Sequence, residues 1–153
     1  MAKKKAKTTP KQITNRRARH DYELGDSLLV GIELTGAEVK NLRRGHGQLR
    51  GSYVNVKDNQ LWLLNATINP SNGIPLTEAE QTRTRRLLAK RKEIDKLIEL
   101  KQQGNTIVPL EILTQGRFIK LRISAGRGKK AYDKRQTLKA RDEKLAIQRA
   151  TRP

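Results

Sequence analysis

Residues 105–126 read NTIVPLEILTQGRFIKLRISAG. Two apolar-rich runs flank Thr114-Gln115-Gly116. In the second, Ile119, Leu121 and Ile123 fall on one face at period two. Side chains of a strand point to alternate faces, so this spacing predicts a β-hairpin with one face on a core. Upstream, TRTRRLLAKRKEIDKLIELKQQG (82–104) changes period. Leu87, Ile94, Leu97 and Ile98 fit a helical stripe, and Gly104 is placed to end the helix.

Further upstream, GSYVNVKDNQLWLLNATI (51–68) alternates around Asp58-Asn59. It predicts a second hairpin, with Tyr53, Leu61 and Trp62 as its bulky members. NPSNGIP (69–75) is turn chemistry and belongs on the surface. SLLVGIELTG (27–36) is a strand-like run, and Thr35 with Glu38 has capping-box spacing for a short helix in AEVKNLRRG. Val39 and Leu42 can face a core there, and Gly45 suits a left-handed stop. The order is β, short α, β, β, α, β, β. Five short strands with two helices predict a β-rich chain, a small OB-like β-barrel with flanking α-helices.

Composition limits what the barrel can be. The chain has 153 residues, 35% of them hydrophobic and 3% aromatic, so one small aliphatic core is expected. The formal net charge is +19. Residues 1–20 hold eight Lys/Arg and no acid, and 126–153 hold ten Lys/Arg against three acids. A mildly basic globule with two strongly basic ends is the footprint of a polyanion binder, with nucleic acid the default partner. The expected division is a disordered basic arm (1–14), a barrel (15–130) and a basic C-terminal tail (131–153), disordered when free. Cysteine is absent, which excludes disulfides, zinc knuckles and thiol chemistry. No apolar h-region follows the basic start and no apolar run approaches a membrane span, so a cytoplasmic chain is expected.

Catalysis finds little support. Two histidines, His20 and His46, have no metal-ligand spacing, and no phosphate-loop pattern follows a strand. His20-Asp21 reads as a surface histidine in a basic arm, not as a general-base pair. No catalytic residue, metal or cofactor is expected. Binding chemistry is richer. NRRARH (15–20) sets Asn15, Arg16, Arg17, Arg19 and His20 together, and guanidinium groups bind phosphate bidentately and stack on bases. RTRR (83–86) places Arg83, Arg85 and Arg86 at the expected start of the main helix. Cations oppose the dipole there, a conflict that a docked phosphate would relieve. GRGKKAYDKR (126–135) joins the last strand to the tail with Gly128, Lys129, Lys130, Tyr132, Asp133, Lys134 and Arg135. Tyr132 can stack on a base, and the following segment, with Lys139 and Arg141, has good helix formers but a thin apolar face.

Taken in order, NRRARHDYEL, GIELTGAEVKNLRRG, SYVNV, RTRRLLAKRKEIDKLI and GRGKKAYDKRQTLKARD resemble the bacterial small protein B family (SmpB), the SsrA-binding proteins. The resemblance covers nearly the whole chain from Asn15. It implies an OB-like barrel that binds the tRNA-like domain of transfer-messenger RNA and delivers it to stalled ribosomes for trans-translation. It places Asn15, Arg17 and Arg19 on the family's N-terminal RNA-facing element and His20 at the decoding centre. It matches Glu38 and Lys40 to the G-x-E-V-K segment and Arg85 and Leu88 to the R-K-L-L helix start. It makes Gly128 to Arg135 the hinge of a tail that turns helical in the messenger channel of the small subunit. No catalysis and no membrane are implied, and a monomer is expected. Leu29-Val30 stands where the family usually has Glu-Ala, and the loop 69–82 lacks the usual H-D-P. The competing expectation, from charge alone, is a structural protein buried in ribosomal RNA.

Overall fold

The computed structural model describes residues 13–129. In chain order the elements are β1 (Ile13–Thr14), α1 (Arg16–Asp21), β2 (Tyr22–Ile32), α2 (Gly36–Arg43), β3 (Gly47–Gln48), β4 (Tyr53–Lys57), β5 (Gln60–Leu64), β6 (Thr67–Ile68), α3 (Glu78–Gln81), β7 (Arg85–Leu88), α4 (Arg91–Gln102), β8 (Thr106–Leu113) and β9 (Lys120–Gly128). The main sheet runs β1-β8-β4-β5-β7-β2-β9, and β8 also pairs with β9. That last pairing closes β8, β4, β5, β7, β2 and β9 into a ring, and every pairing in it is antiparallel. Closure removes the open edges that would otherwise invite another strand. The expected OB-like barrel is therefore present.

The hairpin that opened the sequence reading is β8–β9. Ile119, Leu121 and Ile123 are all buried, and the core around them is aliphatic, with Leu42, Leu49, Leu61, Leu63 and Ile107 at or near zero exposure. Each such side chain contributes roughly 1.5–3 kcal/mol by leaving water. The turn of the β4–β5 hairpin falls at Asp58 and Asn59, whose φ angles are 55° and 59°. Two consecutive left-handed residues match the strand twist, and Asp and Asn tolerate that conformation. The Thr35–Glu38 capping box starts α2 as expected, with Oγ1 of Thr35 accepting from the Glu38 N–H at 3.3 Å.

The structure departs from the expected order at three places. The helix foreseen over 82–104 begins only at Arg91, and Arg85–Leu88 is strand β7, the sixth member of the ring. Its side chains alternate inward and outward, Arg85 and Leu87 in, Arg86 and Leu88 out. An inward arginine breaks the apolar alternation that marks a strand, so the segment passes for the first turn of a helix. Second, the arm expected over 1–14 ends earlier: Ile13 is buried and pairs with Ile112. Third, β2 is longer than the run 27–36, because it starts at Tyr22 and crosses a bulge between Leu24 and Ser27. At this bulge Gly126 faces Glu23 so closely that a Cβ would lie 2.4 Å from the Glu23 carbonyl oxygen, so only glycine fits.

Candidate nucleic-acid interface

A bulge in β8 positions the first cluster. Pro109 pairs with Ile123 and Glu111 with Arg122, which leaves Leu110 as the extra residue. Proline sits at such an irregularity because it has no N–H to give the ladder. Both carbonyls at the bulge are taken by Asn15: its backbone N–H donates to Leu110 O at 2.7 Å, and its Nδ2 donates to Pro109 O at 3.0 Å. Asn15 is thus a buried pin that sets the start of α1, not an exposed reader. Ala18 is buried against Val108 and Leu110, while Arg16, Arg17 and Arg19 stay exposed. A helix six residues long is anchored on its small apolar side and shows guanidinium groups to solvent.

The end of β9 meets this helix. The backbone N–H of Lys129 donates to Asp21 O at 2.8 Å, and Lys129 Nζ donates to Arg19 O at 3.2 Å. Tyr22 pairs with Gly128. The arm cluster and the hinge, 110 residues apart, are one surface. Beside it a cleft of about 390 Å³ opens between α1 and β4, lined by Arg17, Tyr22, Arg50 and Tyr53 among others. Arg50 and Tyr53 escaped the sequence reading as site residues because neither lies in a charge run. An alternating strand next to a glycine turn was their only signal. His20 Nδ1 donates to Asp21 Oδ1 at 2.9 Å. The carboxylate can only accept, so the proton sits on Nδ1 and Nε2 is left for a partner. Gly128 is exposed and Lys129 half-buried. Lys130, Tyr132, Asp133, Lys134, Arg135, Lys139 and Arg141 lie outside the described residues.

The RTRR cluster is divided. Arg85 has no exposed surface, and Glu38 only 1%. Nε of Arg85 donates to Glu38 Oε2, Nη1 to Ala66 O and Arg83 O, and Nη2 to Glu80 O and Gln81 O. All five guanidinium donors are engaged. Arg83 Nε donates to the other Glu38 oxygen at 2.8 Å. Burial alone pushes the Glu38 carboxyl up, but hydrogen bonds from Arg85, Arg83 and the Thr35 N–H, with the charge of Arg85, outweigh it and hold it below its ordinary 4.5. Glu38 and Arg85 are buried, against the expectation that they meet RNA, while Arg83 keeps about 34% of its side chain exposed. The three form an ion triad that ties α2 and the loop before β7 to the barrel.

Within β7, Arg86 and Leu88 face out. Arg86 stands opposite Trp62 across the β5–β7 pair, and Leu88 is 50% exposed opposite Gly31. A guanidinium beside an indole on an open sheet face suits a nucleotide. Lys40 is exposed on α2, whose Arg43 reaches the β8–β9 turn, so it lies at the other end of the barrel from Lys129. Arg85→Ala is expected to lower the melting temperature sharply, whereas Arg86→Ala leaves it within a degree or two and weakens RNA binding. Thermal melts and filter binding on the two variants check this.

Among the described residues, no group of three or more His, Cys, Asp or Glu could hold a metal ion, and no helix is long and apolar enough to cross a membrane. The sequence profile of the SmpB protein family matches residues 12–153. The chain belongs to the SmpB family. It is similar to the SsrA-binding protein of Trichormus variabilis, at 44% identity over 138 residues and 89% of each chain. It is similar to the SsrA-binding protein of Trichodesmium erythraeum at 41% identity over 152 residues, 98% of this chain and 97% of that one. A solved structure, reported as "tmRNA-SmpB: a journey to the center of the bacterial ribosome", superposes with a TM-score of 0.64 at 38% identity, covering 78% of this chain and 85% of that chain. At that identity the likeness extends beyond the fold. The SmpB profile also spans the basic C-terminal segment, which the described residues do not reach.

Proposed function

We propose that this chain binds the tRNA-like domain of a transfer-messenger RNA and delivers it to stalled ribosomes, where the nascent chain is tagged and the ribosome released. Membership of the SmpB family supports the reading. The observation that carries it is the junction of α1 with Lys129: exposed Arg16, Arg17 and Arg19 stand where the basic C-terminal segment leaves the barrel. One cationic surface at that junction suits a protein that holds one RNA on its barrel and reaches into a second RNA environment with its tail.

The chemistry is positioning, without a covalent step. Guanidinium groups on a short helix neutralise phosphates and release counterions, which supplies affinity without reading sequence. Arg50, Tyr22 and Tyr53 around the adjoining cleft add stacking surface. Asn15 and Ala18 serve this surface by fixing α1. His20, its Nδ1 committed to Asp21, faces the decoding centre in this reading, with Tyr132 to Arg135, Lys139 and Arg141 entering the messenger channel. The protein works in the cytoplasm and catalyses nothing.

Replacing Arg17 and Arg19 together by alanine is expected to weaken binding to the isolated tRNA-like domain. The slope of log affinity against log salt should flatten by roughly 1.4–1.8, since each lost phosphate contact removes about 0.7–0.9. Filter binding between 50 and 300 mM salt, on the order of the range where such slopes are read, checks it. An unchanged slope would remove α1 from the interface.

A further inference from the structure

The chain's one phenylalanine is the most exposed large hydrophobic side chain among the described residues. The core is wholly aliphatic, yet Phe118 is 68% exposed at the β8–β9 tip, flanked by buried Ile119. The tip is held in place. Arg43 on α2 donates from Nη1 to Thr114 O at 2.8 Å and from Nη2 to Gly116 O and Arg117 O, both at 3.1 Å. Gly116, at φ 93°, closes the turn. Arg117 lies over the ring, 5.5 Å from its centroid. From 112 to 122 the strip carries Arg117, Lys120 and Arg122 and no acid except at its Glu111 border, where Glu111 is ion-paired to Arg122. Exposing a phenylalanine to water is unfavourable, and here the ring stays mostly exposed on a pinned turn with a guanidinium beside it.

We propose that the β8–β9 tip is a second RNA contact, in which an unpaired base stacks on Phe118 while Arg117 and Lys120 hold flanking phosphates. The proposal rests on the RNA-binding reading above and adds a site to it. From Lys120 to Gly128 is eight strand steps, roughly 26 Å at about 3.3 Å each. The tip therefore lies at the far end of the hairpin from Lys129 and from the place where the chain leaves the barrel, and reaches a different stretch of RNA. An aromatic with an arginine on a rigid turn is the chemistry that takes a splayed base without regard to sequence. A lipid surface would call for a broader apolar patch than one ring. The RNA is either the tRNA-like domain or ribosomal RNA, and the test separates the two.

Full-length protein carrying Phe118→Trp has a second indole at the tip, and the unsubstituted chain, with Trp62 alone, supplies the signal to subtract. It is titrated with the isolated tRNA-like domain and, separately, with vacant ribosomes, and indole fluorescence is read beside filter binding. The expected result is stacking quench with one of the two, saturating along with binding, and a roughly ten-fold loss of affinity for that same partner in Phe118→Ala. The melting temperature should not move, because Phe118 packs on no core. Normal binding of both partners with no quench would overturn the proposal and leave the RNA-binding reading intact. Loss of ribosome affinity in Phe118→Ala without quench would mean a protein contact, which also overturns it. Failure of the unsubstituted chain to bind either partner would sink both.

Discussion

Glu38→Ala is expected to destabilise the barrel by about 3–5 kcal/mol, the usual result of removing one member of a buried ion pair. For a domain this size that is a fall in melting temperature on the order of 10–20 °C. The loss is large because Arg85 keeps its charge at any attainable pH and would stay buried with its partner gone. Glu38→Gln should be nearly as costly, since the amide keeps the volume but not the charge. The same triad sets an acid limit. The Glu38 carboxyl titrates below 4.5 when folded, held there by Arg85 and Arg83 against burial. Its contribution is therefore complete above about pH 4.5 and is lost as pH falls through the folded value. Thermal melts from pH 7 to pH 3 should show a steepening loss at the acid end in the native chain. That component should be absent from the Glu38→Gln chain.

Removal of residues 136–153 is expected to abolish tagging on stalled ribosomes while leaving affinity for the tRNA-like domain within about two-fold. The described barrel is complete before that point, with β9 ending at Gly128. A reconstituted tagging assay and filter binding on the same preparation separate the two steps. A truncated chain that still tags would refute the division between a barrel that binds and a tail that engages the ribosome.

Much of this architecture is legible in the residues themselves. The two hairpins declare themselves because their turns are chemically marked, Asp58-Asn59 in one and Thr114-Gln115-Gly116 in the other, and because aliphatics recur at period two. The Thr35–Glu38 box announces α2 for a local reason: both partners lie within four residues. What stays hidden depends on distant partners. Arg85 reads as a surface cation until Glu38, 47 positions away, and four carbonyls are seen to take all its donors. With it goes strand β7, whose inward face begins with an arginine. Asn15 reads as a member of the RNA-facing cluster. The β8 bulge at Leu110, invisible in a one-dimensional pattern, makes it a pin instead.

The candidate site divides along the same line. Charge density alone marks Arg16, Arg17, Arg19 and Lys129, and the fold brings them together. Charge density also marks Arg85, where it misleads, because a buried guanidinium and an exposed one look alike in sequence. Arg50 and Tyr53 join the surface only through the cleft that opens between α1 and β4 once α1 is seated on β8.

The central claim is that this barrel carries transfer-messenger RNA. Affinity-tagged full-length protein recovered from its own cells, followed by sequencing of the bound RNA, tests it most directly. The account predicts one dominant transfer-messenger RNA species that washes off ribosomes at high salt. Recovery of ribosomal RNA alone, resistant to high salt, would contradict it and make the chain a structural component of a ribosomal subunit.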